Sequence, residues 1–145
     1  MKNPSVYCYL NTCIQCLFSI PELNYYFYNE MYLLEKKTKS DSLPSCESLK
    51  LLTKYYYNSK NNSKIPGSVY DVCHSFLQAN EQHDCQEYLR KLLSKIQDEL
   101  SSVEKFKVPD NTTFENVWEI YRYNNSSFID SLFSGLLRSN VICNK

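Results

Sequence analysis

Glycine is almost missing from this chain: Gly67 and Gly135 are the only two among 145 residues. With five prolines besides, the sequence does not read as a loop-rich or repetitive fold. Net charge is also missing. Sixteen Lys and Arg offset sixteen Asp and Glu, which argues against a nucleic-acid binder driven by bulk electrostatics. No apolar run approaches the roughly 20 residues that span a bilayer. Met1-Lys2-Asn3-Pro4 leads into no signal-peptide pattern. No internal repeat or break in composition divides the chain, so one domain is expected.

What is present is an ordinary globular balance, with 43% hydrophobic and 22% charged residues, enough for a packed core. The thirteen tyrosines reflect coding bias more than function. Seven cysteines, at 8, 13, 16, 46, 73, 85 and 143, make an odd number. Without a secretory pattern this speaks against a closed disulfide framework and for a reducing compartment, most thiols serving as small buried side chains.

Hydrophobic spacing predicts a helix from Cys8 to Ile20, stopped by Pro21. Tyr9, Leu10, Cys13, Cys16, Leu17 and Ile20 share one arc of roughly 120°, so Cys13 and Cys16 read as core. Cys8, Asn11, Thr12 and Gln15 read as the polar face. Glu22 to Glu35 is a second helical stretch, Lys36 to Ser48 a polar loop, Leu49 to Tyr57 a short helix, and Asn58 to Lys64 a loop. Val69 to Leu77 has helical spacing. The clearest helix runs from Asp84 to Val103, with Cys85, Leu89, Leu92, Leu93, Ile96 and Leu100 within roughly 100° of one another. Thr112 to Tyr123 is mixed in character, and Phe128 to Val141 suggests a short helix or turn followed by a strand.

Cys8 draws attention by its position. The thiolate is the nucleophilic form of cysteine, and a helix N-terminus favours it. Asn3, five residues upstream, carries an amide of the kind that donates to a developing oxyanion. The residues alone leave two readings open, a catalytic nucleophile or a half-buried thiol near a chain start.

The segment Asn3-Pro4-Ser5-Val6-Tyr7-Cys8-Tyr9-Leu10-Asn11-Thr12-Cys13-Ile14-Gln15-Cys16-Leu17 resembles the cysteine box of ubiquitin-specific proteases, Asn-x-Gly-Asn-Thr-Cys-Tyr-Met-Asn-Ser-x-Leu-Gln-x-Leu. Cys8 falls on the family nucleophile and Asn3 on its oxyanion-hole asparagine. Ser5, Val6 and Tyr7 depart from the family's Gly-Asn-Thr. Gln82-His83-Asp84-Cys85-Gln86-Glu87-Tyr88-Leu89 is similar to the Gln-Gln-Asp-Ala-His-Glu-Phe-Leu box, which lines the channel for the ubiquitin tail. Asp84 and Glu87, three residues apart, share a helix face. Taken alone, that pair reads as a solvated face with the usual acidic bias of a helix start. A third block, Ser127 to Cys143, resembles the family's entry into its zinc-bearing fingers. Cys143 would be one zinc ligand of a complete fingers region. A tetrahedral site needs four ligands, so no metal site and no cofactor are expected here.

The resemblance implies an α+β papain-like cysteine protease fold. This chain would be its mainly α-helical thumb, about 1–125, with the first strand of the fingers in about 126–145. With the palm outside it, the thumb should expose an apolar patch beyond the few hundred Å² usual for a monomer. The implied function is thiol-dependent hydrolysis of the isopeptide bond at the ubiquitin C-terminus, in the cytoplasm or nucleus. Ubiquitin and ubiquitinated proteins are the partners; neither nucleic acid nor membrane is expected. Gln82, Asp84 and Glu87 would hold the tail. The family's general-base histidine falls beyond Lys145, and neither His74 nor His83 is expected to replace it. The alternative is a catalytically inactive helical module that binds ubiquitin or another partner.

Overall fold

The computed structural model describes residues 7–35, 42–58, 81–100, 106–137, 139 and 141–143. Among them lie seven helices: α1 (Cys8–Phe18), α2 (Pro21–Tyr28), α3 (Tyr32–Glu35), α4 (Pro44–Asn58), α5 (Cys85–Leu100), α6 (Phe114–Asn124) and α7 (Phe128–Phe133). The helical stretch expected at Val69–Leu77, the loop at 59–64 and the last residues expected in the long helix, 101–103, fall outside the described residues.

The core is a bundle in which α1 packs against α2 and α5, α4 against the same two helices, and α7 closes onto α5. Leu10, Cys13, Ile14 and Leu17 of α1 meet Leu23 and Phe27 of α2, Cys46, Leu49 and Leu52 of α4, and Tyr88, Leu92, Ile96 and Leu100 of α5 in one buried cluster. Burying a side chain of this size is worth about 1.5–3 kcal/mol, so the cluster fixes α1 and α5 relative to each other. Two carboxylates beside it are paired. Asp130, buried at the base of α7, accepts from Gln97, from Ser127 Oγ at 2.7 Å and from Ser134 Oγ at 3.0 Å. Glu35 Oε2 accepts from the Tyr26 hydroxyl at 2.7 Å and from the Phe128 N–H at 3.1 Å. α6 buries none of its residues and is held at its end by Asn124, whose amide exchanges two hydrogen bonds with the backbone of Phe106, at 2.7 and 2.8 Å.

Three features depart from the sequence expectations. The stretch from Glu22 to Glu35 is two helices because Glu30 adopts φ 57°, left-handed backbone in a residue that is not glycine. The N–H groups of Glu30 and Met31 return to the carbonyls of Phe27 and Tyr26 and close α2. α4 begins at Pro44, inside the expected loop, with proline where a helix start tolerates it. Where a strand was expected before Val141, the described residues contain none, and Ser134 is simply extended at the end of α7. A strand needs a partner to pair its backbone.

Candidate active site

α1 carries Cys8 as its first residue. Its N-cap, Tyr7, makes no side-chain hydrogen bond to the helix, so no cap side chain covers the first-turn N–H groups. The Cys8 side chain is exposed, while Tyr9 and Leu10, the next two residues, are 3% and 2% exposed. The thiol thus stands at solvent on a helix anchored by the core directly behind it.

The rest of α1 corrects the sequence reading in two places. Cys16, expected in the core, is exposed, and Asn11, expected on the polar face, is buried. The cause is that α1 is clamped between α2 and α5. Its buried face is wider than a one-sided arc, and it turns past Ile14 to Asn11 and away from Cys16. Cys13 is buried as expected. Burial, followed by its contacts with Cys85, pushes the Cys13 thiol well above the ordinary cysteine value of 9.0. Burial and the neighbouring Glu99 do the same to Cys46.

α5 brings the second block to the same end of the bundle. Asp84 caps it, Oδ1 accepting from the N–H groups of Gln86 at 2.8 Å and Glu87 at 3.0 Å. Gln82, Asp84 and Glu87 are all exposed. Glu87 pairs with Lys91 at 2.7 Å, one turn on. The Lys91 hydrogen bond holds the Glu87 carboxyl below its ordinary value.

The two blocks meet through aromatic rings. Tyr9 lies edge-on to His83, with centroids 5.3 Å apart and planes at 84°, and edge-on to the buried Tyr88 at 5.4 Å and 65°. A neighbour of Cys8 is thereby packed against a neighbour of Asp84. Asn3 and His74 lie outside the described residues. Cys143 is exposed near the chain's end.

Residues 1–145 match the ubiquitin carboxyl-terminal hydrolase family. The chain belongs to that family. Ubiquitin carboxyl-terminal hydrolase 15 of Homo sapiens is 28% identical over 158 residues, covering 99% of this chain and 16% of the relative. Ubiquitin carboxyl-terminal hydrolase 2 of Bos taurus is 27% identical, with 99% and 26% covered. Ubiquitin carboxyl-terminal hydrolase cyk-3 of Caenorhabditis elegans is 25% identical, with 99% and 15% covered. The chain therefore spans 26% or less of the length of these curated relatives.

Within this member of the ubiquitin carboxyl-terminal hydrolase family, sequence reasoning passed over the junction between the two blocks. Tyr9 and Tyr88 lie on two separate helices, and residue order alone does not bring them together. Their contact, and that of Cys13 with Cys85, is set by how α1 and α5 cross. The one available signal was that both cysteines sat on the apolar arcs of their helices.

Proposed function

We propose that this chain supplies the nucleophile and part of the ubiquitin-tail channel of a cysteine-type deubiquitinase with a papain-like catalytic domain. The observation that carries the reading is the exposed Cys8 at the first turn of α1, with its neighbour Tyr9 packed against the 82–88 segment. It is supported by family membership along the whole chain. Cys8 Sγ attacks the carbonyl carbon at the ubiquitin C-terminus, and the lysine amine of the isopeptide leaves with a proton. Water then hydrolyses the thioester and returns the thiol. Asn3 is assigned to the oxyanion, with its amide donating to the tetrahedral intermediate. Gln82, Asp84 and Glu87 are assigned to the ubiquitin tail, whose basic, extended chain suits an acidic rim.

The base that takes the thiol proton is assigned to a histidine outside residues 1–145. His83 is assigned a packing role, since its ring abuts Tyr9. The test is ubiquitin bearing a C-terminal electrophile, added to the chain together with the remainder of its catalytic domain. Covalent capture that is lost in Cys8→Ser is the expected result. Capture that survives this change would remove Cys8 from the role. Ubiquitin binding with neither capture nor turnover, equal in wild type and Cys8→Ala, would instead identify an inactive ubiquitin-binding module.

A further inference from the structure

Cys13 and Cys85 are 72 residues apart in sequence, and their sulfur atoms are 3.1 Å apart. The Cys13 thiol also donates to the Cys85 carbonyl oxygen at 3.1 Å. Both are free thiols, and they differ in access: Cys13 is 1% exposed in the middle of α1, while Cys85, the first residue of α5, is half-buried. A disulfide needs about 2.05 Å between sulfurs, so bonding requires an approach of about one ångström, within reach of small side-chain rotations. The helices that carry the two sulfurs are already fixed against each other by the core.

We propose that Cys13 and Cys85 form a reversible dithiol–disulfide pair, oxidised by hydrogen peroxide, that staples the helix bearing Cys8 to the helix capped by Asp84. Cys85, the sulfur with solvent access, attacks the peroxide O–O bond and becomes a sulfenic acid, releasing one water. Cys13 then displaces hydroxide from that sulfur. The proton of its thiol leaves with the hydroxide as a second water. Two thiols surrender two electrons and two protons, and one peroxide accepts them. Burial keeps Cys13 from meeting the peroxide itself, and the 3.1 Å separation of the two sulfurs places it for the second step.

This dithiol would give α1 and the 82–88 segment two states, one held by packing and one by a covalent bond. The experiment is thiol mapping, so its failure would leave the assignment of Cys8 untouched. The reduced full chain is treated with hydrogen peroxide, alkylated under denaturing conditions, digested and analysed by mass spectrometry. The expected product is a peptide pair joined through Cys13 and Cys85, lighter by two hydrogen atoms and separated by a thiol reductant. The oxidised chain should melt higher by at least about 5 °C, because the cross-link restrains a long loop in the unfolded chain. Cys85→Ser, checked for retained helix by circular dichroism, should show neither the peptide pair nor the rise. If that variant does not fold, the wild-type map decides alone. Recovery of both Cys13 and Cys85 as alkylated thiols, while Cys8 or Cys16 is oxidised, would overturn the proposal. So would cross-links that form only between molecules.

Discussion

Glu99 caps a helix to which it does not belong: its carboxylate accepts the N–H of Ser45 through both oxygens, at 2.9 and 3.1 Å, and that of Cys46 at 3.0 Å. The start of α4 has its exposed positive end neutralised by the last turn of α5. Ser45 and Cys46 are buried, so water is a poor substitute. Hydrogen bonds to a charged group are worth about 1.5–3 kcal/mol each. Glu99→Ala should therefore lower the unfolding free energy by about 2–3 kcal/mol. Glu99→Gln, which keeps an acceptor, should cost less. Chemical denaturation measures both; a Glu99→Ala loss below about 0.5 kcal/mol, the size of an ordinary surface change, would mean that the cap is not stabilising α4.

On the proposed assignment of Asp84 and Glu87 to the ubiquitin tail, binding should depend on a competition. Asp84 already serves the helix as its cap, and Glu87 is engaged by Lys91. Asp84→Asn retains a good cap, so the pair Asp84→Asn with Glu87→Gln should weaken ubiquitin binding several-fold and leave the helical signal unchanged. Lys91→Gln should release Glu87 and strengthen binding. Titration of ubiquitin at two ionic strengths provides the check, since exposed pairs weaken with salt. An affinity indifferent to all three changes and to salt would place the contact elsewhere.

Acid should loosen the α3–α4 contact. Burial pushes the Glu47 carboxyl up, but the hydrogen bonds from Lys50 and Tyr32 outweigh it, and the carboxyl settles below its ordinary 4.5. A folded value below the unfolded one stabilises the fold fully above 4.5, and this stabilisation is lost as pH falls through the folded value. Lys50 is shifted the other way, raised above 10.5 chiefly by its hydrogen bond to Glu47. Its contribution is present below 10.5 and disappears as pH rises through the folded value. Glu47→Gln should flatten the fall in melting temperature below pH 4.5 relative to wild type. Equal slopes would show that Glu47 contributes nothing to acid unfolding.

Brief alkylation of the native chain should modify Cys8, Cys16 and Cys143, which are exposed, and spare Cys13 and Cys46. Burial holds those last two thiols in the unreactive protonated form. Peptide mapping before and after unfolding reads the difference; modification of Cys46 in the native state would contradict its burial.

These expectations follow how each element was determined. α1 and α5 could be read from residue order because each has a local boundary signal and a continuous apolar stripe: Pro21 follows the end of the first, and Asp84 opens the second. The exposed placement of Cys8 was legible for the same reason. The start of α4 was not, since its cap, Glu99, arrives from more than fifty residues away. The break between α2 and α3 hung on a left-handed glutamate, a conformation expected first of glycine or asparagine. Lys50 and Lys54 both pair with that side chain, and the partners lie on another helix. The exchange of Asn11 for Cys16 at the core boundary arose because a helix with two neighbours buries more than one stripe.

Tyr9 has a consequence for how this chain can change over generations. Its ring fills the notch between His83 and Tyr88, so no one of the three positions can drift alone. A smaller side chain at 83 would leave a void beside Tyr9, and a larger one at 88 would push Tyr9, and with it Cys8, outward. Lineages descended from this chain should vary these three rings together or keep all three.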